Sequence, residues 1–117
     1  MKLLTKGLRE KLLNNGRKQE TVRGTEDEID FKPVVKFFTP DAGATWLFTE
    51  LDEDGDTLFG LCDLGLGFPE LGYASLSEIE SVRGRFGLPV EREYHWKAYK
   101  TLSEYAQEAS ENGRLYV

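Results

Sequence analysis

Residues 44–64 read ATWLFTELDEDGDTLFGLCDL, and this stretch decides the fold. Two apolar runs, residues 44–51 and 57–64, flank an acidic turn that contains a glycine. Such a pattern predicts two antiparallel strands joined by a short hairpin. The alternation in the first run is predicted to place Trp46 and Phe48 on one face of the strand, and Leu47, Thr49 and Leu51 on the other.

The sequence on both sides extends this hairpin into a larger sheet. PVVKFF (33–38) precedes it and ELGYASL (70–76) follows it, and turn-forming residues separate each run from its neighbour. LPVEREYHWK (88–97) also alternates and predicts a further strand. We therefore expect an antiparallel meander of about four to five strands.

Three helices are predicted around this sheet. Leucines spaced by four residues indicate an N-terminal helix that ends at the NNG of residues 14–16. The capping boxes Ser77-x-x-Glu80 and Thr101-x-x-Glu104 predict a short middle helix and a C-terminal helix. Strands in the middle and helices around them are typical of the α+β class. The predicted organisation is a single domain over residues 1–117, with an N-terminal helix (1–16), a polar linker (17–32) and an α+β core (33–117).

Composition and charge limit the partners and the cellular location that we expect for this protein. The net charge is −6, but residues 1–24 carry seven Lys and Arg against two Glu, whereas residues 25–80 carry two Lys against fourteen Asp and Glu. The acidic middle would repel nucleic acid and attract a basic partner. Cys62 is the only cysteine, which excludes a disulfide within the chain. Neither a signal peptide nor an apolar run of about 18 residues is visible, so we expect a cytoplasmic protein and no membrane partner.

The glycine-rich run CDLGLGFPELGY (62–73) does not match a phosphate-binding loop. A dinucleotide fingerprint needs a third glycine and a following helix, and both are missing here. No Gly-Lys-Ser/Thr occurs in the chain either. We interpret the run as a turn in which glycines adopt left-handed conformations. Leu71 is expected to pack into the core, and Phe68 either packs with it or lies on a binding surface beside the carboxylates. No cofactor is predicted.

Two other patterns suggest chemistry only weakly. The turn Asp52 to Asp56 lacks the glycine and the glutamate that an EF-hand loop has at its sixth and twelfth positions, so no metal site is predicted. Cys62 and His95 are the only thiol and the only imidazole. They leave open a small thiol-dependent or hydrolase-like enzyme, which requires the two side chains to be within hydrogen-bond reach.

Several stretches together resemble a known bacterial family, the one catalogued as domain of unknown function 2958. They include PVVKFFTPDAGATWLFTELD, GDTLFGLCDLGLGFPELGYASLSEIES and KTLSEYAQEA. Members of that family are small proteins often carried on plasmids and integrative elements. The resemblance implies a bacterial cytoplasmic setting and an accessory role in element maintenance, transfer or evasion of host defences. It brings no catalytic residues.

We therefore predict a non-enzymatic accessory protein of a bacterial mobile element that binds an unidentified, basic protein partner through an acidic surface. Countering host defence is one expected role. The residues predicted to form this surface are Asp52, Asp54, Asp56, Asp63, Phe68 and Glu70. The alternatives are the enzyme that uses Cys62 and His95, and a nucleic-acid accessory protein that binds through the basic N-terminal helix. Nucleic acid is the less expected partner because the helix has no interleaved aromatic residues. The pattern indicates no oligomeric state.

Overall fold

The computed structural model describes residues 2–117 and has three helices and five strands. In chain order they are α1 (Lys6–Glu20), β1 (Val35–Phe38), β2 (Thr45–Leu51), β3 (Thr57–Asp63), β4 (Glu70–Ser75), α2 (Leu76–Ser81), β5 (Glu91–Arg92) and α3 (Leu102–Asn112). The strands form one antiparallel sheet in the order β4-β3-β2-β1-β5. The predicted α+β class and the meander of the first four strands are confirmed.

The fifth strand is much shorter than predicted. Of residues 88–97, only Glu91 and Arg92 pair with β1, opposite Phe38 and Phe37. The side chains predicted to share one face do not share it: Val90 is buried in one apolar cluster, Tyr94 is exposed, and Trp96 packs against the second cluster. The stretch therefore has no continuous buried face to hold it flat against a neighbour. The side chain of Arg92 instead turns back and donates from Nε to the carbonyl oxygen of Leu3, at 2.8 Å.

The sheet has an apolar cluster on each face. α1 and α2 cover one face, which we call the α1 face, over Trp46 and Phe48. α3 covers the other, the α3 face, over Leu47 and Leu61. A bulge between Phe48 and Glu50 shifts the register, so Leu51 packs in the same cluster as Phe48. The predicted face of Leu51 is therefore wrong, because strict alternation allows for no extra residue in the strand.

Helix α1 runs past its predicted end. It continues through Gly16 to Glu20, so the first residues of the predicted linker are helical. Gly16 does not act as a stop, since it lacks the positive φ of a C-terminal cap. It lies instead against β2, where a Cβ would be 2.5 Å from the carbonyl oxygen of Leu51. The rest of the linker is anchored: the side chain of Gln19 holds the backbone of Ile29, and the Leu102 N–H donates to the Phe31 carbonyl.

The helix caps agree with the predictions at α3 and differ at α2. The side chain of Glu104 accepts from the Thr101 N–H at 2.8 Å, and the helix ends at Gly113 with φ of 72°. In α2 the N-cap is Ser75, whose hydroxyl accepts from the Glu78 N–H. Helix α2 therefore starts before the predicted Ser77, and Glu80 accepts instead from the N–H of Leu3.

Candidate functional site

The acidic turn and the glycine-rich run lie at opposite ends of β3. The turn, residues 52–56, connects β2 to β3, and the glycine-rich segment of residues 64–69 connects β3 to β4. We call the latter the β3–β4 loop. The residues predicted to form one acidic surface are thus divided between two ends of the sheet.

Two carboxylates of the acidic turn form hydrogen bonds within the chain. Asp54 Oδ1 accepts from the N–H groups of Asp56 and Thr57, at 2.8 and 2.9 Å. Asp56 accepts from the Ser75 hydroxyl at 2.6 Å and from the Ser77 N–H at 2.8 Å. Bonds from the hydroxyl groups of Thr57 and Ser75, respectively, are the main cause that lowers the pKa of each carboxyl. These two carboxylates therefore shape the turn and join it to α2.

The basic helix α1 packs on this same turn. Arg17 Nε donates to Glu53 Oε1 at 2.5 Å, and Arg9 donates to the Gly55 carbonyl at 3.1 Å. The N-terminal basic segment therefore offsets part of the acidic charge within the molecule. Asp52, by contrast, is an exposed residue.

The opposite end of the sheet gathers several loops. Gly65 packs on the loop between β1 and β2, where a Cβ on Gly65 would be 3.0 Å from the Gly43 carbonyl oxygen. Gly65 and Gly67 have φ of 80° and 87°, which suits glycine and gives the β3–β4 loop its sharp path. These residues, with Gly113 and Arg114 of the C-terminal segment, line a cavity of about 300 Å³. We call this region the loop end of the sheet.

Asp63 is a structural residue at the loop end. The residue is buried, and its carboxylate accepts from the N–H groups of Gly65 and Leu115, both at 2.9 Å. It thereby holds the start of the β3–β4 loop against the C-terminal segment. Its place in the predicted acidic surface is not supported by this geometry, because the side chain is turned inward.

The β3–β4 loop presents large apolar side chains to solvent. Leu66 and Phe68 are 73% and 77% exposed, and Leu64 is exposed as well. The interpretation that Phe68 and Leu71 pack into the core is wrong. Phe68 lies on the loop whose path is set by the positive-φ residues Gly65 and Gly67, and Leu71 is 47% exposed on the edge strand β4. An open cavity of about 310 Å³ lies beside the loop, lined by Cys62, Leu64, Leu66, Phe68 and Glu70.

A second exposed phenylalanine belongs to the same end. The loop between α2 and β5 carries Phe86, which is 78% exposed. Asp41, in the β1–β2 loop, accepts from the N–H groups of Phe86 and Leu88 at 2.7 and 3.2 Å. Our sequence reasoning missed Leu64, Leu66 and Phe86. An apolar residue between glycines in a turn, as in GLG and GRFG, is the signal that could have identified Leu66 and Phe86.

Cys62 is half-buried, whereas His95 is exposed. Cys62 packs against the cluster on the α1 face. Trp96, which follows the exposed His95, packs in the cluster on the α3 face. Burial, with a smaller effect from the negative charge of Glu70, raises the pKa of the Cys62 thiol to about 11. A thiol of that pKa is protonated at neutral pH and is a poor nucleophile.

Among residues 2–117, no three His, Cys, Asp or Glu side chains are grouped so that they could hold a metal ion. None of the helices described has the length and apolar content needed to cross a membrane.

Comparison with known proteins identifies a family but no characterised relative. The family model described as "Protein of unknown function (DUF2958)" matches residues 3–116, nearly the whole chain. This match confirms the resemblance seen in the sequence. No curated protein and no solved structure matches the chain.

Proposed function

We propose that this chain, which belongs to the DUF2958 family, acts by binding another protein through the β3–β4 loop. The observation that carries the proposal is the exposure of Leu66 and Phe68 on a loop whose backbone is held in place by Asp63 and Gly43. Apolar side chains that stay exposed on a rigid scaffold are typical of interaction surfaces. Burial of each of these side chains under a partner would stabilise the complex.

Only part of the predicted acidic surface belongs to the proposed binding site. Asp54, Asp56 and Asp63 are used within the fold, whereas Glu70 lines the cavity beside Phe68 and Asp52 is exposed at the far end. We therefore assign Glu70 the role of attracting a basic group of the partner. Complementary charge of this kind mainly speeds encounter and selects the partner.

The proposed setting is the bacterial cytoplasm, with the protein serving a mobile element. This setting comes from the family resemblance, and we propose that the partner is a protein of the element or of the host, including a host defence protein. Binding without chemistry fits the Cys62 thiol, which its raised pKa keeps protonated at neutral pH.

The nucleic-acid alternative has less support than protein binding. Arg9 and Arg17 of α1 are engaged with the acidic turn, so two cations of the basic helix are already partnered within the chain. Duplex or single-stranded nucleic acid would also meet the negative field of the neighbouring turn.

The test is capture of proteins from a lysate of the bacterium that carries the gene, using immobilised wild-type chain and two matched variants. Phe68→Ser removes the exposed ring of the loop, and Tyr99→Ser removes an aromatic ring that is 78% exposed outside it. We expect the wild type and Tyr99→Ser to capture the same protein. Phe68→Ser should bind that protein about tenfold more weakly, or weaker still, because burial of one aromatic side chain contributes at least this much affinity. Equal capture by Phe68→Ser, or no protein specific to the wild type, would contradict the proposal.

A further inference from the structure

The two edges of the sheet differ in their protection against further pairing. β5 is two residues long, both residues are charged, and the side chain of Arg92 bonds to Leu3. Short and charged strands are a common way for proteins to block an edge. β4, at the other edge, has six residues, and those that follow Glu70 are uncharged. The β4 edge therefore lacks the protection that β5 has.

The hydrogen-bond pattern leaves outward-facing backbone groups on β4. The Leu76 N–H donates to the Asp56 carbonyl at 2.8 Å, one step beyond the paired residues Thr57 and Ser75. Bonded and non-bonded pairs alternate along an antiparallel ladder. It follows that Glu70, Gly72 and Ala74 bond to β3, and that the N–H and C=O groups of the residues between them point away from the sheet. The outward-facing residues are Leu71, Tyr73 and Ser75.

The side chains of β4 suit an added strand on both faces. Leu71 and Tyr73 lie opposite Leu61 and Phe59, on the α3 face, and are themselves exposed. On the α1 face a Cβ added at Gly72 would have no atom within 4 Å. A neighbouring strand would therefore find apolar contacts on one face and space for larger side chains on the other.

The negative charge of Glu70, at the start of β4, favours an added strand that carries a basic residue. Glu70 pairs with Cys62 and lies on the same face as Gly72, where it lines the apolar cavity of the β3–β4 loop. A residue opposite Glu70 on an added strand would have its Cβ about 5 Å away, so a Lys or Arg at that position would meet the carboxylate. The rest of the cavity lining favours apolar side chains.

We propose that β4 binds an extended segment of the protein partner as an additional strand, with a Lys or Arg of that segment opposite Glu70. The inference rests on the proposed function and names the form that the partner takes. Main-chain hydrogen bonds to Leu71 and Tyr73 supply affinity in this mode, and the alternating side-chain positions supply specificity. The exposed Leu66 and Phe68 extend the same surface beyond the end of the strand.

The probe is a displayed library of random peptides long enough to span the six residues of β4, selected on the immobilised wild-type chain. We expect enriched peptides with alternating β-branched or aromatic residues and a Lys or Arg. Glu70→Gln should weaken their binding and reduce its salt dependence. A selection that yields no peptide, or yields apolar residues at helical spacing, would overturn the inference.

A pair of variants at Leu71 separates backbone from side-chain binding. Leu71→Pro removes an outward N–H that β3 does not use, and Leu71→Ala removes only the side chain. We expect the proline variant to bind the selected peptides about tenfold more weakly than the alanine variant, as for the loss of one hydrogen bond. Amide exchange in the wild type gives an independent measurement that requires no variant: the Leu71 and Tyr73 amides should slow when peptide is added. Equal binding by both variants together with unchanged exchange would overturn the inference.

Two further outcomes distinguish this inference from the proposed function. If the β4 amides are already protected in a dimer of this chain, seen by sedimentation at micromolar concentration, the edge is occupied by a second copy and the inference fails. If Phe68→Ser abolishes capture of the partner protein while Leu71→Pro and Leu71→Ala capture it equally, the proposed function stands and the added strand is excluded.

Discussion

Asp63 and Leu115 are joined by a hydrogen bond of 2.9 Å from the backbone N–H of Leu115 to the buried Asp63 carboxylate. The other oxygen of the same carboxylate accepts from the Gly65 N–H. One side chain therefore ties the last strand residue before the β3–β4 loop to both the loop and the C-terminal segment. The shape of the loop end depends on it.

We predict that Asp63→Ala lowers the free energy of unfolding by about 1–3 kcal/mol, because the Leu115 N–H loses its acceptor in a buried place. Asp63→Asn keeps one oxygen acceptor and should cost less. Urea denaturation of both variants measures the difference. Equal stability of wild type and Asp63→Ala would show that the carboxylate does not hold the loop.

Gly60 and Gly72 face each other across β3 and β4 but differ in their surroundings. A Cβ at Gly60 would be 1.9 Å from the Leu47 carbonyl oxygen, whereas one at Gly72 would have no atom within 4 Å. We predict that Gly60→Ala destabilises the fold by at least about 1–3 kcal/mol, the usual cost of overpacking. Gly72→Ala should be neutral or slightly stabilising, since it restricts the unfolded chain. Thermal unfolding of the two variants compares them directly, and similar losses for both would contradict the packing described at Gly60.

The reactivity of Cys62 is predicted from its raised pKa. The shift from 9.0 to about 11 lowers the thiolate fraction at neutral pH by about a hundredfold, so native protein should react with iodoacetamide far more slowly than unfolded protein. The pKa of the Cys62 thiol is higher in the folded protein than in the unfolded chain. The thiol therefore does not reduce the free energy of unfolding below about pH 9, but that free energy falls as the pH rises toward 11. Cys62→Ala should lack this part of the alkaline loss. Rapid labelling of native protein at pH 7 would instead favour the thiol enzyme.

Much of the sheet could be predicted because β1 to β4 are bounded by turn residues and carry buried apolar side chains. β5 could not be located from the same kind of pattern. The alternation around Glu91 and Arg92 does not correspond to one buried face, because Val90 packs on the α1 face and Trp96 on the α3 face. The bulge between Phe48 and Glu50 leaves no mark in the sequence either, because Thr49 is an ordinary strand residue.

The candidate site was predictable only in part. Phe68 and Glu70 could be named from the sequence, yet phenylalanine is usually buried, and only the path of the backbone through Gly65 and Gly67 exposes this one. The acidic turn shows the reverse error. Asp54 and Asp56 read as surface charge, but their role in holding Thr57 and Ser75 depends on contacts that only the folded chain makes.

The most direct test of the account is amide hydrogen exchange of the chain alone and in complex with the captured partner. The account predicts slower exchange in the complex at residues 64–75, with no change in the acidic turn at residues 52–56 or in α1. Slower exchange in α1 or the acidic turn, with residues 64–75 unchanged, would contradict it.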